Sequence, residues 1–170
     1  MRWVREQGPA YGLDPGLVVV AGHSAGGTLA AMAGLAWNSG RPEFAGIPRP
    51  DGWVSMAGWL NFDARDMAAV IDAISPPGSR LDAHGLSPLS WVDAADPPGY
   101  VAHGALDSVV DVAHARAAEF VFGLHGLAPK VRVDIVDVDA AGRPLDPAAR
   151  WHVPGRGVDL TAFNTFMDAL

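Results

Sequence analysis

The sequence predicts an α/β fold in which a mainly parallel sheet is connected by helical crossovers. Short apolar runs rich in β-branched residues alternate along the chain with helix-length segments, a pattern typical of parallel strands joined by helices. The run that ends at Ala21 passes through a Gly-rich turn into good helix formers from Thr28 onward, as expected where a strand leads into a helix. With 170 residues, the chain is long enough to bury one core as a single domain.

Each strand is predicted from a short apolar run bounded by turn residues. In chain order the predicted strands are Leu17–Ala21, Trp53–Ala57, Tyr100–His103 and Val131–Val138. We expect the first strand to be covered on both faces, because apolar side chains occupy both of its faces.

The helices are predicted from runs of helix-forming residues. They are Ala25–Trp37, Ala64–Ile74, Val112–Leu124 and Leu160–Leu170, preceded by a helix end at Trp3 to Gln7 that Gly8-Pro9 stops.

Residues 58–99 separate the second and third strands and are too many for a simple crossover. Two breaks, Pro76-Pro77-Gly78 and Pro97-Pro98, interrupt the stretch. We interpret residues 1–170 as one domain, with residues 58–99 as an irregular excursion that contains one helix and lies over the carboxyl edge of the sheet. Sites in α/β proteins usually lie at that edge.

Composition disfavours several classes of partner and site. The net charge is −7, with 19 acidic and 12 basic residues, so neither nucleic acid nor an anionic membrane surface is expected as a partner. The absence of cysteine excludes disulfides, thiolate catalysis and Cys-ligated metals. No apolar run is long enough to span a bilayer, and the stretch Met1 to Gly12 lacks the apolar core of a signal peptide. We expect no metal and no organic cofactor, and the sequence assigns no cellular compartment.

The turn Gly22-His23-Ser24-Ala25-Gly26 has the Gly-x-Ser-x-Gly pattern of a nucleophile elbow. We expect Gly22 and Gly26 to be small because the sharp bend brings them together. The helix that follows directs its free N–H groups toward Ser24, where an oxyanion would form in acyl transfer. A chance match in a Gly/Ala-rich turn is the alternative, but the order strand, motif, helix favours the elbow. A nucleotide-binding turn is disfavoured, because the lysine of a P-loop and the glycine spacing of a dinucleotide site are absent.

A serine nucleophile needs a base, and the base needs a carboxylate that orients it. Asp107 follows the third strand and is thereby delivered to the carboxyl edge of the sheet. Asp111 is the alternative acid, although its position directly before the helical run from Val112 suits a helix cap better.

Six histidines compete for the role of base. His152 is preferred because it lies on a Gly/Pro-rich loop before the closing helix, from which it can reach the serine; a solvated loop histidine is the alternative. The other histidines fit structural roles. His23 and His103 suit packing or turn ordering, His114 lies inside a helix, and His125 lies near a helix C-terminus. His84 lies in the excursion, where it could contact substrate or nothing.

The chain resembles the esterase/lipase branch of the α/β-hydrolases, near the carboxylesterases and kynurenine-formamidase-like enzymes, in three stretches: GHSAGGTLAAMAGL, SPLSWVDAADPPGYVAHGALDSVVD and WHVPGRGVDLTAFNTFMDAL. The order serine, aspartate, histidine is the order of that fold. The resemblance implies the C-terminal part of an α/β-hydrolase fold, with Ser24 as nucleophile, Asp107 as acid, His152 as base and the Ala25 N–H as one oxyanion donor.

The resemblance also implies a serine hydrolase that cleaves a small to medium carboxylic ester through an acyl-enzyme, with a small-molecule ester as its partner. Amide cleavage would use the same residues. Trp59, Leu60 and Trp91 could line an apolar substrate pocket, and an ordinary place in the core is an equal alternative for them.

The chain departs from this family before the nucleophile. Only 23 residues precede Ser24, and no His-Gly-Gly loop is present to supply a second oxyanion N–H; losing one such donor costs on the order of 10²- to 10³-fold in rate. The alternative hypothesis is therefore a truncated, catalytically weak or inactive fragment that acts as a structural or interaction module. The edge of the first strand would then be open to pairing, so we expect either that Met1 is an internal start or that a further chain, such as a second copy in a homo-oligomer, covers this edge.

Overall fold

The computed structural model describes residues 1–64, 67–137, 143–144 and 161–170, and its centre is a four-stranded parallel sheet. The strands are β1 (Val19–His23), β2 (Gly52–Met56), β3 (Gly99–Gly104) and β4 (Val131–Val136). They lie in the order β1-β2-β3-β4, and every neighbouring pair is parallel. The predicted α/β class with a parallel sheet is confirmed.

The helices are α1 (Arg2–Gln7), α2 (Ala25–Leu35), α3 (Ala68–Ile74), α4 (Ala83–Leu86), α5 (Ala113–Leu124) and α6 (Thr161–Asp168). Of these, α2 to α5 lie between strands and form the crossovers that a parallel sheet requires. Compared with the prediction, α2 ends at Leu35 rather than Trp37, and α3 begins at Ala68 rather than Ala64, just after residues 65–66, which the structure does not describe. Val138 and Leu160 also lie outside the described residues.

The main core is built around Trp53 on β2. Its side chain is fully buried and packs on Phe122 of α5 with ring centroids 5.9 Å apart. Gly34 of α2 and Gly99 of β3 lie flat against the indole, and a Cβ added to either would come within 2.3 Å of a ring atom. Two glycines distant in sequence therefore make room for one large side chain, and α2 and α5 are held to the sheet by that packing.

Strand β1 lies at one edge of the described sheet. Its residues are half-buried except Ala21, which is exposed, and the preceding Leu17 is 44% exposed. The prediction that this strand is covered on both faces is wrong, because Ala21 is exposed and the other strand residues are only half-buried. Strand β2 is the neighbour of β1 on one side, and the described residues place no strand on the other. An edge of this kind presents unpaired backbone N–H and C=O groups.

The start of β1 is tied to α1 and β2 through Asp51. The Oδ2 atom of Asp51 accepts hydrogen bonds from Val18 N at 2.7 Å and from the Arg5 guanidinium at 2.9 Å. The Asp51 N–H in turn donates to Val18 O at 2.9 Å. One carboxylate thus fixes α1 and the first strand to the amino edge of the sheet.

The excursion of residues 58–99 contains two helices, α3 and α4, rather than the one predicted. The last part of the excursion also lies away from the carboxyl edge of the sheet. Phe62 N near the end of β2 donates to Ser87 Oγ at 2.7 Å, whereas Lys130 Nζ, at the start of β4, donates to Ala94 O at 3.1 Å. The last part of the excursion therefore lies at the amino edge, opposite the predicted site.

Asp96 is an unusual carboxylate in that last part. It is 1% exposed, its Oδ2 accepts the Asp93 N–H at 2.8 Å, and its Oδ1 has no hydrogen-bond partner among the described residues. Burial raises the pKa of Asp96 from its ordinary 3.8 to about 7, because the charged form loses hydration that the neighbouring groups do not fully replace.

The raised pKa of Asp96 predicts a pH dependence of stability. The folded chain binds the proton of the Asp96 carboxyl more tightly than the unfolded chain does. The contribution of this proton to the free energy of unfolding is therefore fully present below about pH 4 and is lost as the pH rises to about 7. Asp96→Asn should remove this loss: between about pH 4.5 and pH 7.5 the urea midpoint should fall less in the variant than in the wild type. Asp72→Asn, at an exposed carboxylate, is the control and should follow the wild type. Parallel curves for all three proteins would contradict the prediction.

Candidate functional site

The turn between β1 and α2 holds Ser24 in a strained backbone conformation. Its φ is 57° and its ψ is −126°, a region that costs a residue with a side chain about 1–3 kcal/mol. The strain is held from both sides, since Ser24 N donates to Met56 O at 2.8 Å and Ser24 O accepts from Thr28 N at 3.1 Å. The turn is thus anchored to β2 and to the first turn of α2.

Gly22 makes this turn possible. A Cβ at position 22 would lie 2.1 Å from the carbonyl oxygen of Gly26 and 2.2 Å from its carbonyl carbon, so only glycine fits there. We expected Gly26 to be small because the bend brings it close to Gly22. This explanation is wrong, because a Cβ at position 26 would meet nothing within 4 Å. Gly22 contacts the carbonyl group of Gly26 instead. Gly27 takes the second tight position, since its Cβ would come within 2.9 Å of Met56 O.

Ser24 and Ala25 lie at the amino end of α2. Ser24 is half-buried and Ala25 is exposed. The Thr28 N–H bonds to Ser24 O, so the N–H groups of Ala25, Gly26 and Gly27 come before the first hydrogen bond of this kind and belong to the unpaired donors of a helix start. The positive end of the helix dipole is therefore directed at the region beside Ser24. His23 closes β1 opposite Met56.

Asp107 lies in the turn that follows β3. Its Oδ1 accepts the N–H groups of Val109 at 2.8 Å and Val110 at 3.0 Å, and its side chain is 0% exposed. Asp111 differs: it is exposed, and its Oδ1 accepts the N–H of Ala113, the first residue of α5, at 2.8 Å. The structure thus gives Asp111 the capping contact expected of it and gives Asp107 a buried, oriented carboxylate.

The sheet brings Ser24 and Asp107 to the same edge. Both follow strands that run in the same direction, and β2 lies between those strands. Neighbouring strands are about 4.8 Å apart, so the ends of β1 and β3 are separated by about 10 Å. That separation is too large for a hydrogen bond between the two side chains and suits one intervening imidazole.

His152, the predicted base, lies outside the described residues. The other histidines have described positions. His114 of α5 is buried, and its Nδ1 accepts the Asn61 N–H at 3.3 Å. His125 is exposed just after α5, and His84 lies 3.8 Å from an Asp63 oxygen. His103 is buried on β3 beside Asp107.

The three predicted pocket residues lie in different places. Trp59 is half-buried, and its backbone N–H donates to Thr28 Oγ1 in the first turn of α2 at 3.0 Å, which places its backbone near the elbow. Leu60 is fully buried in the main core and has no surface to offer a substrate. Trp91 packs under the guanidinium of Arg41, 5.5 Å from the ring centroid. Arg41 comes after α2 in the chain, whereas Ser24 directly precedes that helix.

Within the described residues, no group of three or more His, Asp or Glu side chains is arranged to hold a metal ion. In the same part of the chain, none of the helices has the length and apolar character needed to cross a membrane.

Comparison with known proteins finds one matching family. Residues 1–123 match the family described as having the alpha/beta hydrolase fold. Two esterases of Mycobacterium tuberculosis are similar in sequence: esterase LipQ is 32% identical over 68% of this chain and 30% of LipQ, and esterase LipC is 30% identical over 85% of this chain and 38% of LipC. The chain thus spans about a third of the length of these relatives.

Solved structures agree on the fold. The apo form of Thermogutta terrifontis esterase 2 has a TM-score of 0.64 and 24% identity, covering 99% of this chain and 59% of that one. An acetyl ester-xyloside bifunctional hydrolase from Caldicellulosiruptor lactoaceticus has a TM-score of 0.64 and 22% identity, covering 98% of this chain and 57% of that one.

The contact between Gly22 and the Gly26 carbonyl predicts a difference between two alanine substitutions. Gly22→Ala places a methyl group on backbone atoms that cannot move away, so we expect it to destabilise the fold by about 3 kcal/mol or more. Gly26→Ala adds a methyl group to open space in a helix and should change stability by at most about 1 kcal/mol. Urea unfolding followed by circular dichroism measures both. Equal stability of the two variants would contradict the described turn.

Proposed function

The chain belongs to the α/β-hydrolase family, and from that premise we propose that it is a serine hydrolase that cleaves small to medium carboxylic esters through an acyl-enzyme. The observation that carries the proposal is the strained, half-buried Ser24 at the junction of β1 and α2. Strain of this kind persists where the surrounding structure imposes it, and it is frequent at catalytic residues.

In the proposed mechanism, Ser24 Oγ attacks the ester carbonyl while a base takes its proton. The base is His152, which then returns the proton to the leaving alcohol; water later cleaves the acyl-enzyme by the same steps. Asp107 orients the imidazole and stabilises its charged form. Its support is the buried carboxylate two strands away from Ser24, a separation of about 10 Å that an imidazole would bridge.

The Ala25 N–H is the proposed oxyanion donor. It belongs to the residue after the nucleophile and lies at the positive end of α2, where negative charge on the tetrahedral intermediate would develop. Each donor of this kind contributes on the order of 10²- to 10³-fold to the rate.

The substrate proposal rests on the relatives and on Trp59. LipQ and LipC are named esterases, which supports a carboxylic ester over other acyl compounds. Trp59 has its backbone N–H bonded to Thr28 Oγ1 in the first turn of α2, and we propose that its half-buried indole lines the apolar part of the substrate site.

A second candidate function is favoured by β1, which lies at an edge of the sheet that the described residues form. Ala21 is exposed and Leu17 is 44% exposed at that edge, and an open strand edge is a template for pairing with another chain. In this alternative the chain acts as a structural or interaction module with weak or no catalysis, and a second copy of the chain covers β1.

Ser24-dependent hydrolysis separates the two candidates. We expect the wild type to hydrolyse p-nitrophenyl acetate above the buffer rate and Ser24→Ala to abolish that increment, because no other group in the mechanism replaces the nucleophile. Ser79→Ala, at an exposed serine bonded to Pro76 O, is the matched control and should keep the wild-type rate. A wild-type increment that survives in Ser24→Ala, or no increment at all, would refute the hydrolase proposal.

A further inference from the structure

A second buried side chain, which the mechanism above does not use, lies beside the turn that follows β3. His103 lies on β3, one residue before its end at Gly104, and is 2% exposed. The side chains of His103 and Asp107 are both 0% exposed, and His103 Nε2 lies 3.7 Å from Asp107 Oδ2. An imidazole and a carboxylate thus share one closed site beneath the carboxyl edge.

The contacts of His103 fix the protonation of one ring nitrogen. Its Nε2 lies 2.9 Å from the carbonyl oxygen of Val110. A carbonyl oxygen only accepts hydrogen bonds, so Nε2 carries a hydrogen and donates it. The 3.7 Å distance from Nε2 to Asp107 Oδ2 is too long for a hydrogen bond, but it sets the positive end of the N–H group near that oxygen.

The same residue, Val110, links His103 to the carboxylate. Val110 O accepts from His103, while Val110 N donates to Asp107 Oδ1 at 3.0 Å. Val110 itself is fully buried. The imidazole of His103 therefore holds the same residue that holds the carboxylate of Asp107. The turn is closed by a further bond from Asp107 N to Gly104 O at 3.2 Å.

We infer that His103 is a positioning residue for Asp107, and that its Nε2–H bond to Val110 O holds the carboxylate in the orientation that receives the base. The inference deepens the proposed function and rests on it. Oδ1 accepts two backbone N–H groups, so Oδ2 is the oxygen that the base, proposed as His152, would contact. If the donor is removed, Val110 O becomes a buried acceptor without this bond, and the turn is expected to shift.

The test compares His103→Leu with His103→Gln. Leu removes the donor at similar volume, whereas the side-chain amide of Gln carries an N–H that can replace Nε2–H. A displacement of about 1 Å at a catalytic group costs about 10²-fold, so we expect His103→Leu to lower kcat for p-nitrophenyl acetate by about 10- to 100-fold with little change in KM. His103→Gln should recover most of that loss. His125→Leu, at an exposed histidine, is the control.

The pH profile gives a readout that a purely structural role would not move. A carboxylate next to an imidazole raises the pKa of the imidazole, so a displaced Asp107 should shift the acidic limb of kcat/KM to lower pH in His103→Leu. Asp107→Asn provides the limiting case and should shift the same limb in the same direction. Rates are normalised to active sites titrated with a phosphonate ester, so partial unfolding of a variant does not imitate loss of kcat.

The outcomes separate the two proposals. If the wild type hydrolyses the ester through Ser24 but His103→Leu keeps the wild-type kcat and pH profile, the inference about His103 fails alone. Equal losses in the Leu and Gln variants also overturn it, because the N–H donor would then not be the property that matters. If the wild type shows no Ser24-dependent hydrolysis, the proposed function fails and the inference falls with it.

Discussion

The close contact between Gly22 and the carbonyl group of Gly26 is the constraint on which the site depends. A Cβ at position 22 would lie 2.1 Å from that oxygen, so the backbone can bend sharply there only because the side chain is absent. The bend forces Ser24 to a φ of 57°, and the bond from Ser24 N to Met56 O holds it. The position of Ser24 at the amino end of α2 follows from this geometry and not from any property of serine itself.

The parallel sheet places the bend at Ser24 on the same edge as Asp107. Because β1 and β3 run in the same direction with β2 between them, the residues that follow them reach one edge at a separation of about 10 Å. Ser24 arrives on a strained turn, and Asp107 arrives on a turn pinned by its own backbone bonds and by His103. In the proposed mechanism, the base acts between these two turns.

Features encoded by neighbouring residues could be predicted from the sequence, and features that depend on distant contacts could not. The four strands, the elbow and the capping contact of Asp111 are local patterns. The half-buried state of β1 depends on which strands lie beside it, and the full burial of Leu60 depends on a core assembled from α2, α5 and the sheet. The role of Gly27 also escaped prediction, since its close neighbours, Met56 O and Ser55 Oγ, lie on another strand.

We propose that folding joins Ser24, Asp107 and His152 around the elbow, and a crystal structure of the protein treated with a p-nitrophenyl phosphonate is the sharpest test. We expect phosphorus bound to Ser24 Oγ, a phosphoryl oxygen directed at the Ala25 N–H, and the imidazole of His152 between Ser24 and the carboxylate of Asp107. A structure with no adduct on Ser24, or with an adduct and no imidazole of His152 within hydrogen-bonding distance, would contradict it.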